Sequence, residues 1–492
     1  MINILLSNIF SFQPENPLMF NSILFFVLFS AFYLIYAIAL PRMEIRNFLL
    51  LVFSLFFYYK ISGAFILLLI AMGSSDYFIA KEMSASKSEK TRNILLYVSI
   101  FINIGSLLFY KYTQFLLNTW LDITVQEPIS LNIIQPLGIS FFVFKSLTYI
   151  FDIHREIIEE PEKNHLTYLL YVSFFPNILA GPIAKARNLL PQFHQATKIT
   201  SEKIGRGFFL IMSGLFYKIV IADFLAANFV DRVFDAPTYF TGFEALMAAF
   251  GAMIQIYYDF AGYTNIVLGI ALLLGFEMEI NFRKPFLAKN ITEFWRRWHI
   301  TLSTWFNEYL FTPLSFYFRK MKYGAILAIL ITFFVSGLWH GAAFTYILWG
   351  LSHGLAIAWD TISVNWRKQA KTKIPTKYYN ISSIFLTFLF LSLSVVLFKS
   401  ADMGKAGQIY SMIFTKTDFG LIGQWFTLYL YPALIMIFAM VIHYLPETYT
   451  EKAITYFTNL KWYYKAAVLV VFTIIIYQVY TSASQPFIYL EF

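Results

Sequence analysis

The chain contains no cysteine. That excludes disulfides, a thiolate metal site and an acyl-cysteine intermediate. Charge is also scarce. Only 13% of its 492 residues are Asp, Glu, Lys or Arg, against about 25% in soluble domains. No soluble domain is left to carry a nucleic-acid-binding surface, so none is expected. There is no Gly-x-Ser-x-Gly elbow, no P-loop and no His-Glu-x-x-His, and the histidines do not stand at metal-ligand spacing on one helix. No metal site and no bound cofactor are expected. A regular array of intramembrane charges, or a half-to-half repeat of broken helices as in many transporters, is missing too.

Apolar residues are abundant: 59% hydrophobic and 20% aromatic. Apolar runs lie near residues 20–40, 47–59, 62–80, 93–110, 134–151, 166–182, 208–230, 243–275, 325–340, 343–360, 380–400, 426–444 and 463–482. Each approaches the ~20 residues of a spanning helix, though several are short enough to be re-entrant or buried in protein. The expected fold is an all-α, polytopic integral membrane protein of roughly 10–12 spans. Its residues 1–492 are expected to form a single membrane-embedded domain. The first run, Ile23 to Leu40, has no basic region before it and no Ala-x-Ala site after it, and reads as a retained helix rather than a cleaved signal.

The net charge of +9 is uneven. Basic residues cluster in Lys81–Arg92, Lys185–Arg206, Arg283–Arg297, Arg319–Lys322 and Arg367–Lys377. The positive-inside rule places these loops in the cytoplasm. They also suit anionic lipid head groups, and the same field would attract a negatively charged substrate from the cytoplasm.

Within the apolar run Ala325 to Trp359 stands Ser336-Gly337-Leu338-Trp339-His340-Gly341. A histidine in hydrocarbon is costly without a polar partner or a cavity. His340 therefore either lines a passage or is a core histidine bonded to a neighbouring helix. Another histidine, His353, follows in Gly350-Leu351-Ser352-His353-Gly354. On one straight helix it would lie about 20 Å beyond His340 and on another face, unless Gly341 breaks the helix.

Asn281 to Leu314 is rich in tryptophan. Asn290 with Glu293 is a variant capping box. Phe294, Trp298, Leu302, Trp305 and Tyr309 then recur at helical spacing. Arg296, Arg297, Thr301, Thr304, Asn307 and Glu308 fall on the other side. The pattern predicts an amphipathic helix, too polar to span and suited to the interface. His299 lies at the edge of its buried face, in a packing or a catalytic role.

Two more stretches stand out. Ser173–Ile183 sets two prolines and a glycine in an apolar segment, tolerated at membrane depth only where protein or a cavity covers the backbone. Gln255–Asn265 carries Gln255, Asp259 and Asn265 in a hydrophobic run, where polar groups bridge helices or line a passage.

Together these residues resemble the membrane-bound O-acyltransferase superfamily, in its bacterial polysaccharide-acetylating branch, of the kind of the membrane subunit of alginate O-acetyltransferase. The carrying segments are Leu18–Ser22, Ser173–Ile183 with Pro191-Gln192-Phe193, Gln255–Asn265, Glu293–His299 with Ser303–Phe306, Gly337–Gly341, and Gln485–Phe492. Where the family's tryptophan-rich segment ends in Pro-Leu-Gly-Gly, this chain has Pro313-Leu314-Ser315. The resemblance implies helices around a central funnel or tunnel. It implies that His340 is catalytic with His299 as a second polar position. Trp339, Gln255, Asp259, Asn265, Arg296, Arg297 and His353 become candidates for binding substrate or lining the tunnel.

It also implies the reaction. An acyl group, here acetyl from cytoplasmic acetyl-CoA, moves to hydroxyls of an exported polysaccharide. A periplasmic SGNH-type acyltransferase is the expected partner, and the bacterial inner membrane the expected location. Elementary chemistry agrees, because a histidine can take the proton of a poorly nucleophilic hydroxyl, an effect worth roughly 10²–10⁴-fold. Other readings are D-alanyl transfer to teichoic acid from an acyl carrier protein, a transporter or flippase with His340 as a proton relay, and a scaffold that only recruits a transferase.

Overall fold

A computed structural model of the protein describes residues 10–15, 17–479 and 487. Apart from Phe487, the segment Gln485–Phe492 lies outside the described residues. All regular secondary structure among them is helical, the form in which an apolar chain satisfies its own backbone in lipid.

Among the described residues, five helical stretches are long and apolar enough to cross a membrane: Met43–Ala85, Glu89–Ile123, Ser201–Asp235, Gly242–Leu273 and Thr376–Lys399. Two pairs bent by 100° and 120°, Phe419–Tyr444 and Glu447–Gln478, are broken spans or re-entrant loops and bring the number to at most seven; Ile23–Ala39 and Gly324–His340 are shorter apolar helices. The expectation of 10–12 spans took most of the thirteen apolar runs as crossings and left the short ones as re-entrant or buried. Several runs are instead cut by turns. Residues 166–182 give only the helix His165–Ser173 and a 3₁₀ turn at Phe175–Asn177. Conversely, Met43–Ala85 holds two 20-residue helices joined at Gly63, whose φ of +58° is left-handed.

By internal contacts the chain forms two compact units. The first comprises Met1–Ile211 and Ile266–Glu279. Here the helices Met43–Ser62, Ile66–Ala85, Glu89–Ile123, Ile139–His154 and His165–Ser173 pack on one another. Ser173–Ile183 is buried throughout. Its irregular backbone is covered by protein, as the breaks require. The Phe175 N–H donates to Ser54 Oγ (3.1 Å), and the Asn177 amide accepts from Lys145 Nζ (3.0 Å) and donates to the Pro182 carbonyl (3.3 Å).

The second unit comprises Met212–Asn265 and Ile280–Phe492. Its centre is a helical hairpin, Gly324–His340 and Phe344–Ile362, with Thr376–Lys399 against the second arm. Two π-helical stretches, Phe216–Asp223 and Ala226–Val230, lie in the preceding apolar helix.

The tryptophan-rich segment holds no helix long enough to cross a membrane, and the predicted continuous helix is corrected. It consists of Ile291–Trp295, Ile300–Phe306, a π turn Asn307–Phe311 and Thr312–Tyr317. Asn290 Oδ1 caps the start by accepting from the Glu293 N–H (2.8 Å), while Glu293 reaches back to Lys289 N rather than to Asn290. The chain then turns. His299 has φ +43° and ψ +53°, a left-handed conformation that costs a residue with a Cβ roughly 1–2 kcal/mol. Pairing with residues 281–283 overrides the helical pattern: Arg283 N donates to Arg297 O and Ile300 N to Asn281 O, both at 2.9 Å.

Candidate active site

All three central histidines lie in the second unit. His340 is the last residue of its helix and is 3% exposed. The chain leaves the helix at Gly341. A Cβ there would stand 2.2 Å from the Tyr346 ring, so no larger residue fits the close turn back into Phe344–Ile362. This turn overturns the straight-helix separation of His340 and His353.

Aromatic rings box the His340 imidazole. Centroid distances are 4.8 Å to Trp339, 4.9 Å to Trp349 and 5.1 Å to Phe398. Trp339 also contacts His299, at 6.3 Å, and Phe260 packs edge-on against His299 at 4.7 Å. Trp349 in turn contacts His353 at 4.8 Å. The order is therefore His299, Trp339, His340, Trp349, His353. His299 is fully buried, and burial pushes its imidazole down from an ordinary 6.5 to about 3. It stands neutral at physiological pH.

His353 is tied on both sides. Trp295 Nε1 donates to its Nδ1 (3.3 Å), and its Nε2 lies 3.1 Å from Ser394 Oγ. A donor at Nδ1 places the ring proton on Nε2. His353 thus joins Ile291–Trp295 to Thr376–Lys399, a clasp rather than a free base.

A cavity of about 530 Å³ lies beside this chain of rings. Trp295, Arg296, Ser303, Thr304, Asn307 and Ser336 are among its walls, and Arg296 is the one charged residue lining it among the described residues. Neither His340 nor His299 is in the wall. Ser336, about one turn before His340, and Ile300, next to His299, are. A smaller cavity of about 30 Å³ touches Trp349, His353, Ser394 and Phe398.

The remaining candidates separate. Arg296 is exposed at the large cavity, whereas Arg297 pairs with Glu293 (2.8 Å) one turn back. Asp259 binds Lys218 Nζ at 2.6 Å, and Lys218 also holds Asp223 at 2.8 Å. Asn265 Nδ2 donates to Ser213 Oγ (3.3 Å). Gln255 is buried, and its Oε1 accepts no hydrogen bond among the described residues. Lys218 and Asp223 went unremarked in the sequence. They are five residues apart, a spacing that meets on a π turn and not on an α-helix.

Residues 138–401 match the MBOAT, membrane-bound O-acyltransferase, family. The chain is 33% identical to a probable alginate O-acetylase AlgI of Pseudomonas syringae pv. tomato, over 76% of this chain and 71% of that one.

The chain belongs to the membrane-bound O-acyltransferase family.

As a family member it is a multi-pass membrane acyltransferase. It is also 31% identical to a peptidoglycan O-acetyltransferase of Helicobacter pylori, over 82% of this chain and 81% of that one. Similarity to a teichoic acid D-alanyltransferase of Bacillus subtilis is 30% identity over 54% of this chain and 69% of that one. The tryptophan-rich segment with His299 and the hairpin with His340 and His353 all fall inside the matched region.

Proposed function

We propose that this acyltransferase moves an acetyl group from a cytoplasmic thioester donor, acetyl-CoA, toward hydroxyls of an exported polysaccharide, with His340 as general base. The observation that carries this reading is the seat of His340: a buried imidazole at a helix end, walled by Trp339, Trp349 and Phe398, one turn from a cavity wall at Ser336.

In the reaction, the acceptor hydroxyl oxygen attacks the thioester carbonyl carbon while its proton passes to a ring nitrogen of His340. The C–S bond breaks, and the departing sulfur takes that proton as the thiol forms. His299, neutral in its buried seat, can donate a hydrogen bond to the oxygen that gains charge. Exposed Arg296 at the cavity suits the donor's phosphates. His353, held at both nitrogens, orients Trp295 and Trp349.

The acetyl reading is supported by the extent of similarity: an O-acetylase and an O-acetyltransferase match 76% and 82% of the chain, a D-alanyltransferase 54%. A bacterial inner membrane and a periplasmic SGNH-type partner that completes transfer belong to the same reading.

The test is acetyl transfer per folded molecule, with purified protein in vesicles and radiolabelled acetyl-CoA. His340→Ala is expected to accumulate normally and to lose at least about 100-fold in rate, the lower bound for a lost general base. Retention of most activity per molecule would mean that His340 is not the base.

A further inference from the structure

We infer that Asn281 and Thr301 form a clasp that positions His299 for acyl transfer, an inference that rests on the proposed role of His299. Asn281 is fully buried, Thr301 nearly so. The Thr301 hydroxyl donates to Asn281 Oδ1 at 2.6 Å, and the Thr301 N–H shares that oxygen at 3.3 Å. The Asn281 carbonyl accepts from Ile300 N, and two residues along Arg283 N binds Arg297 O. Residues 281–283 thus grip the chain on both sides of His299.

What they hold is the turn in which His299 adopts its left-handed backbone. A residue with a Cβ persists there only when its surroundings over-determine the conformation, and such residues cluster at functional sites. The backbone at His299 sets where its ring goes: against Phe260 and toward Trp339, the ring that in turn meets His340. Had the helix Ile291–Trp295 run on unbroken, residue 299 would have continued its spiral with the ring on another heading. The clasp is therefore the element that brings His299 into line with His340. Both act through the backbone that carries His299, and so are positioning residues.

The chemistry of the clasp makes it separable from packing. Thr301→Val keeps shape and removes the hydroxyl donor, and Thr301→Ser keeps the donor and loses a methyl. Purified variants in vesicles are compared for turnover number, KM for acetyl-CoA and thermal unfolding temperature, with His299→Ala alongside. We expect Thr301→Val to lose about 10- to 100-fold in turnover, the scale of a displaced catalytic group, with KM unchanged and Thr301→Ser within about threefold of wild type. Turnover of Thr301→Val equal to wild type, or Thr301→Ser impaired as much as Thr301→Val, overturns the clasp. Should Thr301→Val fail to accumulate, Asn281→Asp against Asn281→Leu makes the same comparison, because the aspartyl side chain keeps the acceptor oxygen. If His299→Ala is itself fully active, the role of His299 falls; if it is inactive and Thr301→Val is not, only the clasp falls.

Discussion

Gly337 and Gly350 meet backbone to backbone across the hairpin. A Cβ on Gly350 would stand 2.9 Å from the Gly337 Cα and 2.3 Å from the Phe333 carbonyl oxygen; one on Gly337 would stand 2.4 Å from the Tyr346 carbonyl oxygen. Small residues let helices approach this closely. The contact fixes how far the second arm overlaps the first, and hence that Trp349, the neighbour of Gly350, reaches His340.

Gly350→Ala should therefore push the arms apart. Backbone atoms cannot give way as a side chain can, and overpacking costs about 1–3 kcal/mol or more. The expected result is a lower unfolding temperature in detergent and a loss of acetyl transfer larger than the loss of folded protein. Gly407→Ala is the control, since a Cβ there meets nothing within 4 Å, and it should behave as wild type.

His353→Ala should separate clasp from catalyst. It breaks the bonds to Trp295 and Ser394 in a buried setting, a loss of about 1–3 kcal/mol. Abundance and unfolding temperature should fall, and activity per folded molecule should fall much less than in His340→Ala. Equal per-molecule losses would give His353 a chemical role.

Stability should depend on pH through His299. Its folded value lies near 3 against an ordinary 6.5. Between those limits the unfolded chain binds a proton that the folded chain refuses, so stability falls as pH falls from 6.5 toward 3. At pH 5 the loss from this residue approaches about 2 kcal/mol. Unfolding temperatures of wild type and His299→Leu, measured from pH 7 to pH 5, should show a shallower decline in the variant. Parallel declines would remove His299 as a source.

The basic loops should face the cytoplasm. In a cysteine-free chain, single cysteines at exposed Lys87, Lys198 and Lys371 can be labelled with a membrane-impermeant maleimide. No labelling is expected from outside intact cells, and labelling is expected after permeabilisation. Outside labelling at any one of the three contradicts the positive-inside assignment.

The all-helical class was legible in apolar run length alone, because lipid permits few other forms. The burial of Ser173–Ile183 followed from the same rule. The break at His299 was not legible. Phe294 and Trp298 before it, and Leu302, Trp305 and Tyr309 at or beyond it, keep helical spacing, so periodicity reads straight through. The cause lies 18 residues earlier, at Asn281. The nearness of His353 to His340 depended on whether Gly341 ends a helix, which a single glycine leaves undecided until Tyr346 is seen against it. Asp259 looked isolated for a similar reason: its partner Lys218 lies 41 residues away.

The π turn at Phe216–Asp223 takes up one more residue between Lys218 and Asp223 than the four-residue spacing at which a regular helix would pair them. On α-helical geometry, side chains five apart point roughly 140° away from each other. The wider turn alone carries Asp223 round to Lys218. Loss of one residue between Lys218 and Asp223 would let a regular helix close over the gap with the two four apart, a spacing that also brings side chains together. The wider turn thus absorbs an extra residue without turning the carboxylate away from the ammonium, and a regular helix of unchanged length is the form that would part the pair.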